Sequence, residues 1–512
     1  PCEHSFPTRR SSDLILMTIK ETLLKLSDKE KKEREKARKD FFFYLGETEN
    51  KEASIADNAM LGQSWITLDD LDYVPSQVID NKIKPLINKQ ARFMFGKEPD
   101  ILFKPLDNKD KETCEELRQY VDAILNASKF WSNTFKAFRL ASVTKRVMLR
   151  LEANPGQPIR LYWHDINDFN YEVDPNDITK LNKVTLVRQD TSTANKEQSE
   201  QIWYRYTYYM KDDNEELSCY LKVETYKGNN LDAPINVEDK DTGLSKIPCW
   251  VIANEQSITS PYGVTDIKDL RPLQDSYNRR LSDFNDSLRF LMFGQTVFID
   301  AKPKGVNDAK IAPNSVVALV SLDEEGKKAS AQRLESNFTN AEPVKMYLKI
   351  LEDSMYEKLG IPKPESLQDV PSAKTIKYMY TELVARCEEK WHDWEPNIRS
   401  MLRLVVEACG KFNCYEDWNH EWDNLLYSIV LNKNYPIPED EEDKKRLAME
   451  EVVANVRSHR SYIKDFSDDE DYERHFNEVI EDITTINAAE QDQFQQGMDY
   501  ELDKGDNAGG DS

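Results

Sequence analysis

The 512-residue sequence predicts an α+β fold: a mixed body in the first half, long helices in the second, and a helical, acidic end. Three observations predict it. Apolar residues recur every three or four positions before about residue 140 and after about residue 260. Period-two alternation occupies the stretch from Val147 to Val251, and acidic residues crowd the chain beyond Glu439. With 39% hydrophobic residues the chain has material for sizeable cores in one extended subunit or two to four domains, which excludes disorder of the whole.

The run from Pro1 to Leu14 lacks helical periodicity and a signal-peptide core, and it resembles translated sequencing-adapter sequence. Residues 1–16 are therefore expected to be a non-native extension, with the protein starting near Met17. Residues 18 to 45 predict a charged helix whose Lys/Glu-rich part, Asp28 to Lys39, reads as a solvated face ahead of Phe41, Phe42, Phe43 and Tyr44. A polar loop follows from Gly46 to Leu61. The next helix is expected around Ser76 to Phe95, on Val78, Ile79, Ile83, Leu86, Ile87, Phe93 and Phe95, and it stops at Gly96. Glu112 to Phe138 gives one or two amphipathic helices. Strands are read at Thr185–Arg188, Trp203–Tyr209 and Leu221–Tyr226, with turns at Asn154-Pro155-Gly156 and Lys227-Gly228-Asn229.

In the second half, Ile267, Leu270, Tyr277, Leu281, Phe284, Leu288 and Leu291 mark one helix face once the polar Gln274 is allowed as a missing position. Pro272 opens or kinks that helix. A compact insertion with strand candidates Thr296–Ile299 and Val316–Val320 takes its turns from Pro303, Gly305, Pro313 and Gly326. A second helix starts at Glu342-Pro343, carries Val344, Leu348, Leu351, Met355 and Leu359, and closes at Gly360. After a segment with three prolines, Ile361 to Pro371, Ser372 is a fitting N-cap for the longest helix. Its stripe is Ile376, Tyr380, Leu383, Cys387, Trp391, Trp394, Ile398, Leu402, Val405 and Cys409, with a bend expected at Pro396. Such a helix reaches roughly 55 Å, and a helix of that length needs neighbours. Glu439 to Ser512 holds 23 acidic and 8 basic residues; short helices are expected at Ser458–Phe466 and Asp471–Ile483, and a disordered tail beyond Asn487.

The formal charge of −24 argues against a protein that coats duplex DNA, because such proteins bind phosphates through Lys and Arg. The sequence has no Gly-x-x-x-x-Gly-Lys-Ser/Thr loop, no His-Glu-x-x-His and no Gly-x-Ser-x-Gly, so the usual signatures of a packaging ATPase, a zinc protease and an α/β-hydrolase are missing. His164-Asp165 and His392-Asp393 read as structural or surface residues ahead of ligands or acid-base groups. Asp468-Asp469-Glu470-Asp471 reads as a solvated acidic turn, with a divalent-cation site the alternative. Seven scattered cysteines fit reduced, packed thiols. No stretch approaches the roughly 18 apolar residues of a membrane span.

Four segments in order carry a resemblance. They are Asn81-Lys82-Ile83 through Phe95-Gly96-Lys97-Glu98-Pro99; Lys246-Ile247-Pro248 with Asn254, Asp266, Asp275-Ser276-Tyr277-Asn278, Ser282 and Asn285; Asn432-Lys433-Asn434-Tyr435-Pro436; and Ser458 with Glu473, Glu478 and Glu481. Together they resemble portal proteins of tailed bacteriophages, of the siphophage kind from Gram-positive hosts, over roughly Phe41 to Ile483. Two places depart from that pattern. Leu270-Arg271-Pro272-Leu273 precedes Gln274-Asp275-Ser276 where the family runs Leu-Ile-Asp, and Pro371-Ser372-Ala373-Lys374-Thr375-Ile376 lacks the family's Gly.

The resemblance implies a phage portal fold: an N-terminal region and α+β wing at 17–260, stem helices at 261–290 and 339–360 around a small α/β clip at 291–338, and a tunnel loop at 361–372. A long helix and wing completion at 373–436, a helical crown at 437–485 and a tail at 486–512 follow. It implies a non-enzymatic ring of about twelve copies at the capsid vertex, assembled in the host cytoplasm, through which double-stranded DNA is packaged and ejected. Expected partners are that DNA, the ATPase large subunit of the terminase, a head-completion adaptor, and the major capsid and scaffolding proteins; no cofactor, metal or membrane is expected. Lys363, Lys374 and Lys377 are the candidates for transient phosphate contact in the tunnel, against ordinary solvent-facing lysines. Tyr277, Leu281, Phe284, Leu288, Leu348, Leu351 and Met355 are the candidates for stem packing. A mostly negative surround would let DNA slide. The rival readings are a metal-dependent nuclease acting through Asp468 and Asp471, and a phage structural protein that forms no channel.

Overall fold

The structure, a computed structural model, describes residues 18–46, 76, 78–213, 216–228, 230–257, 260–292, 296–302, 321–322, 326, 328–333, 341–363, 373–437, 441–454, 456–466, 473–485 and 488. The expected strand at Val316–Val320, the acidic run 468–471 and nearly all of 486–512 lie outside these residues, as do 1–17. The chain divides into two compact units, Pro1–Asp369 with Met379–Pro436, and Val370–Tyr378 with Ile437–Ser512.

In the first unit a helical turn at 18–24 places Ile19, Leu23 and Leu24 against Val187, Trp203 and Tyr226. Helix α1 (Asp28–Leu45) is capped by Ser27, whose hydroxyl accepts from the Glu30 N–H, and it ends at Gly46, whose φ of 72° suits glycine. Its charged part is not all solvated. Glu30 and Arg34 are buried, paired with each other at 2.9 Å, and Arg146 donates to the same Glu30 carboxylate. Two arginines on one buried carboxylate explain why a Lys/Glu-rich stretch packs inward.

The expected Ser76–Phe95 helix begins only at Ile83; α2 is Ile83–Phe95. The described chain before it is not helical, and α3 (Lys111–Ala127) and α4 (Phe130–Thr144) follow as two helices hinged at Lys129, where φ is 50°. β1 (Asp100–Pro105) pairs antiparallel with β12 (Tyr427–Asn432). β2 (Arg146–Asn154) stands between β3 (Gln157–His164) and β9 (Cys249–Ala253) in a three-stranded antiparallel sheet. β4 (Phe169–Val173), β5 (Leu181–Gln189), β6 (Ile202–Asp213), β7 (Glu216–Lys227) and β8 (Asn236–Asp241) form a five-stranded meander.

Two long helices, α5 (Ile267–Met292) and α6 (Ala341–Lys358), pack on each other on either side of a two-stranded antiparallel ribbon, β10 (Thr296–Ile299) with β11 (Ser330–Arg333). The longest predicted helix is two: α7 (Ala373–Met379) and α8 (Thr381–Phe412), separated at Tyr380. The Tyr380 ring stacks on Phe93 with centroids 5.4 Å apart, and Phe93 stacks in turn on Tyr435, which anchors the break. At 32 residues α8 is about 48 Å long, and Pro396 lies inside it without interrupting it. Trp391 and Trp394 of α8 meet Phe95 at 5.0 and 5.3 Å, and Trp394 also meets Phe138 and Trp163, so α8 is the central strut of the core.

The second unit contains α7 as far as Tyr378, α9 (Glu441–Val453), α10 (His459–Phe466) and a helix at 473–485. Among its described residues Ala448 is buried, while Leu447, Met449, Val453 and Val456 are exposed.

Candidate functional site

The first two-thirds of α5 turns a polar face inward. Gln274, Asn278, Ser282 and Asp286, four residues apart, are all buried. Each takes a main-chain N–H from the extended strap before α2. Gln274 Oε1 accepts from Lys82 N–H at 3.0 Å, Asn278 Oδ1 from Asp80 at 3.2 Å, Ser282 Oγ from Val78 at 2.9 Å, and the Asp286 carboxylate from Ser76 at 3.0 Å. Gln274 also donates to the Asp80 carbonyl at 2.7 Å. The spacing explains the fit. Four helical residues advance about 6.0 Å, and two extended residues about 6.6 Å. Every second N–H of the strap therefore meets the next turn of the helix, and these donors are no longer available for a helix at 76–82. Gln274, the gap in the apolar stripe, is the first rung of this ladder.

Asp266, just before α5, is the centre of a buried ionic node. Its carboxylate accepts from Lys390 at 2.9 Å, Arg386 at 3.0 Å and Asn254 Nδ2 at 3.0 Å, while Lys390 also donates to Asn254 Oδ1 at 2.6 Å. The Lys390 and Asp266 side chains are 1% and 0% exposed. Burial opposes ionisation of Asp266, but Lys390 and Arg386 hold its carboxyl below the ordinary value. The node ties β9's end, the start of α5 and the first third of α8. Asn254, Asp266, Asn278 and Ser282 all belong to the motif singled out in the sequence, and their hydrogen bonds supply its physical reason.

Lys82 closes the strap. Its ammonium lies 3.2 Å from Asp80, 3.4 Å from Glu352 of α6, and 5.5 Å from the Tyr277 ring centroid, so it bridges both long helices. Burial works against its charge, but the Asp80 hydrogen bond and the two carboxylates raise its pKa overall. At the same end Lys89 of α2 donates to the Pro362 carbonyl and faces the Tyr356 ring. One step from the ladder, Asp275 is buried with Oδ1 unpartnered, and burial pushes its pKa up to about 7 despite Arg271 and Arg279.

Of the predicted packing residues, Tyr277, Leu351 and Met355 are buried, Leu281, Phe284 and Leu348 are half-buried, and Leu288 is exposed. From Ser287 onward no described side chain of α5 is buried, and none of α6 is before Leu351. Lys363 pairs with Asp353 at 3.2 Å and Glu357 at 3.0 Å, which raises its pKa, the Glu357 hydrogen bond foremost. Lys374 and Lys377 lie on α7, Lys377 exposed. Residues 364–372 of the expected tunnel loop at 361–372, and the rival acidic site at Asp468 and Asp471, lie outside the described residues. Among the described residues no group of three His, Cys, Asp or Glu gathers to hold a metal, and no helix is long and apolar enough to cross a membrane. Buried free thiols occupy the six described cysteine positions.

The family model for phage portal proteins of the SPP1 Gp6-like type matches residues 23–493. The chain belongs to that family. This portal family is one of structural phage proteins, and membership makes the chain a component of the phage capsid with an α+β portal fold. No curated protein matches it.

Proposed function

We propose that this portal protein is one subunit of a ring of about twelve at a single capsid vertex, and that double-stranded DNA enters and leaves through its bore. The observation that carries this reading is the α5/α6 pair: two long helices gripped at one end by the α+β body and joined at the other by a small β-ribbon. In this reading α5 and α6 are the stem, 291–338 the clip, the first unit's α+β body the wing, 361–372 the tunnel loop and 437–485 the crown. The clip offers edges to the terminase motor during packaging and later to the head-completion adaptor. Capsid and scaffolding proteins surround the wing, and the ring assembles in the host cytoplasm before it becomes part of the virion.

The chain carries no Walker-type loop, so the energy for translocation comes from the terminase ATPase. DNA must pass without being gripped. Lys363, already engaged by two carboxylates, offers the passing phosphates only a weakened cation. Lys374 and Lys377 are the remaining tunnel candidates. Native mass measurement and end views of the purified protein test the proposal: closed rings with an axial hole support it, and a monomer without a hole at every concentration refutes it.

A further inference from the structure

In the buried node before α5, an amine, a carboxamide and a carboxylate stand within one another's reach. Lys390 Nζ donates to Asn254 Oδ1 at 2.6 Å and to Asp266 Oδ1 at 2.9 Å, and Asn254 Nδ2 donates to the same Asp266 oxygen at 3.0 Å. Asn254 is buried like its two partners, and the Phe138 ring centroid lies 5.9 Å from Nζ. The direction of the Asn254 amide is fixed. Its Nδ2 donates to the Val264 carbonyl at 2.7 Å as well as to Asp266, and both of these groups only accept, which leaves Oδ1 to the lysine. The Asn254 main chain is pinned too, its N–H donating to the Lys145 carbonyl at 2.7 Å and its carbonyl accepting from the Val264 N–H at 2.8 Å.

An ion pair needs only the lysine and the aspartate; the third member adds an electrophile. With Oδ1 at 2.6 Å from Nζ and a C=O bond of about 1.23 Å, Asn254 Cγ lies within about 3.8 Å of Nζ, close to the roughly 3–3.5 Å of reacting atoms held for attack. Asp266 touches both the nucleophile and the nitrogen that would leave, which is the position of a proton carrier. Burial keeps out the water that would solvate the ammonium, and a desolvated lysine amine is a good nucleophile.

We propose that the node matures into a covalent cross-link, an isopeptide bond between Lys390 Nζ and Asn254 Cγ that the folded chain forms by itself. The Lys390 ammonium passes one proton to the Asp266 carboxylate. The amine so formed attacks Cγ, making the C–N bond while the carbonyl π pair moves onto Oδ1. Asp266 hands its proton to Nδ2, the pair returns from Oδ1, and the Cγ–Nδ2 bond breaks. The attacking nitrogen sheds its second proton to the departing ammonia by way of the same carboxylate. The products are one secondary amide and one ammonium ion, with Asp266 again a carboxylate, so the reaction needs no oxidant and no co-reactant. Arg386, 3.0 Å from the same Asp266 oxygen, favours the carboxylate and opposes the first transfer, which makes the reaction a slow maturation of an already folded chain. The ion pair is thus the state of the newly folded chain and the amide that of the mature one, in which a bond ties the end of β9 to α8. The inference is independent of the ring reading.

Intact-mass measurement of the denatured full chain, followed by tryptic mapping, tests the proposal. Wild type kept folded for weeks after purification is expected to be lighter than its sequence by one ammonia. Trypsin should then fail to cut after Lys390, and the peptide bearing Lys390 should be joined to the one bearing Asn254. Lys390→Arg keeps the charge and the donors but forms no such amide, and Asp266→Asn lacks the proton carrier; both are expected to keep their full mass. Wild type that retains its full mass and is cut normally after Lys390 overturns the proposal, and that reading needs no variant to fold. Ammonia lost within the Asn254 peptide alone, with Lys390 free, is succinimide formation and overturns it as well. A linked peptide that forms equally in Asp266→Asn overturns the part given to Asp266.

Discussion

Between Asp266 and Asp286, α5 is fixed by a buried ion pair at its start and by a hydrogen bond to the strap at every turn. From Ser287 onward, and on α6 before Leu351, no described side chain is buried. The same helix thus has a base held by buried polar contacts and, among the described residues, an end without buried side chains. The base spends polar side chains on main-chain donors, which fixes register with little dependence on strap sequence. Among the described residues, the far end keeps apolar side chains such as Leu288, Met346 and Ile350 exposed. The difference teaches that one helix can be fixed in register by its own chain along one stretch and carry only half-buried and exposed side chains along the next.

The largest effect should come from the node. Lys390→Met leaves Asp266 buried with less compensation and should cost about 3–5 kcal/mol, read as a lowered denaturation midpoint of the first unit. Lys390→Met with Asp266→Leu should recover most of it; no recovery would mean that the pair contributes more than mutual neutralisation. The ladder comes next. Val78→Pro removes a captured N–H and should cost about 1–3 kcal/mol, whereas Ile79→Pro spares every rung and should cost clearly less. Equal losses would show that the strap is held by its side chains.

Asp275 gives a smaller effect with a definite sign. Its folded pKa of about 7 lies above the ordinary 3.8, so the native state binds the proton more tightly than the unfolded chain. The cost of ionising it in place is present in full above pH 7 and relieved as pH falls toward 4. The melting temperature should therefore gain a component that rises as pH is lowered through 7, and Asp275→Asn should remove that component. An unchanged slope would place the titration elsewhere. The smallest effect belongs to Lys363→Met, whose partly exposed ion pairs should contribute less than about 1 kcal/mol; a larger loss on denaturation would give Lys363 a structural role.

Much of the fold is legible in the sequence where burial is apolar. Leu351 and Met355 of α6, Leu359 just after it, and Leu383, Cys387, Trp391, Trp394, Ile398, Leu402, Val405 and Cys409 of α8 lie where the periodicity places them and are buried. Strand β10 spans the expected Thr296–Ile299. What hydropathy does not show is burial satisfied by hydrogen bonds. Gln274, Asn278 and Ser282 look solvent-facing by type, and Glu30 with Arg34 looks like a charged surface, yet all are inside because their partners come from residues far along the chain. The helix break at Tyr380 is hidden for a related reason, since it is set by stacking on Phe93 rather than by a local breaker residue. The extended strap reads as helix in the sequence because Val78 and Ile79 also suit a helix stripe.

A cryo-electron microscopy map of the assembled protein tests the central claim most directly. The account predicts α5 and α6 of every subunit standing around an axial bore that admits duplex DNA, their ladder faces turned toward the strap and away from the bore. A ring whose bore is lined by other elements, with the α5/α6 pair at its periphery, would contradict it.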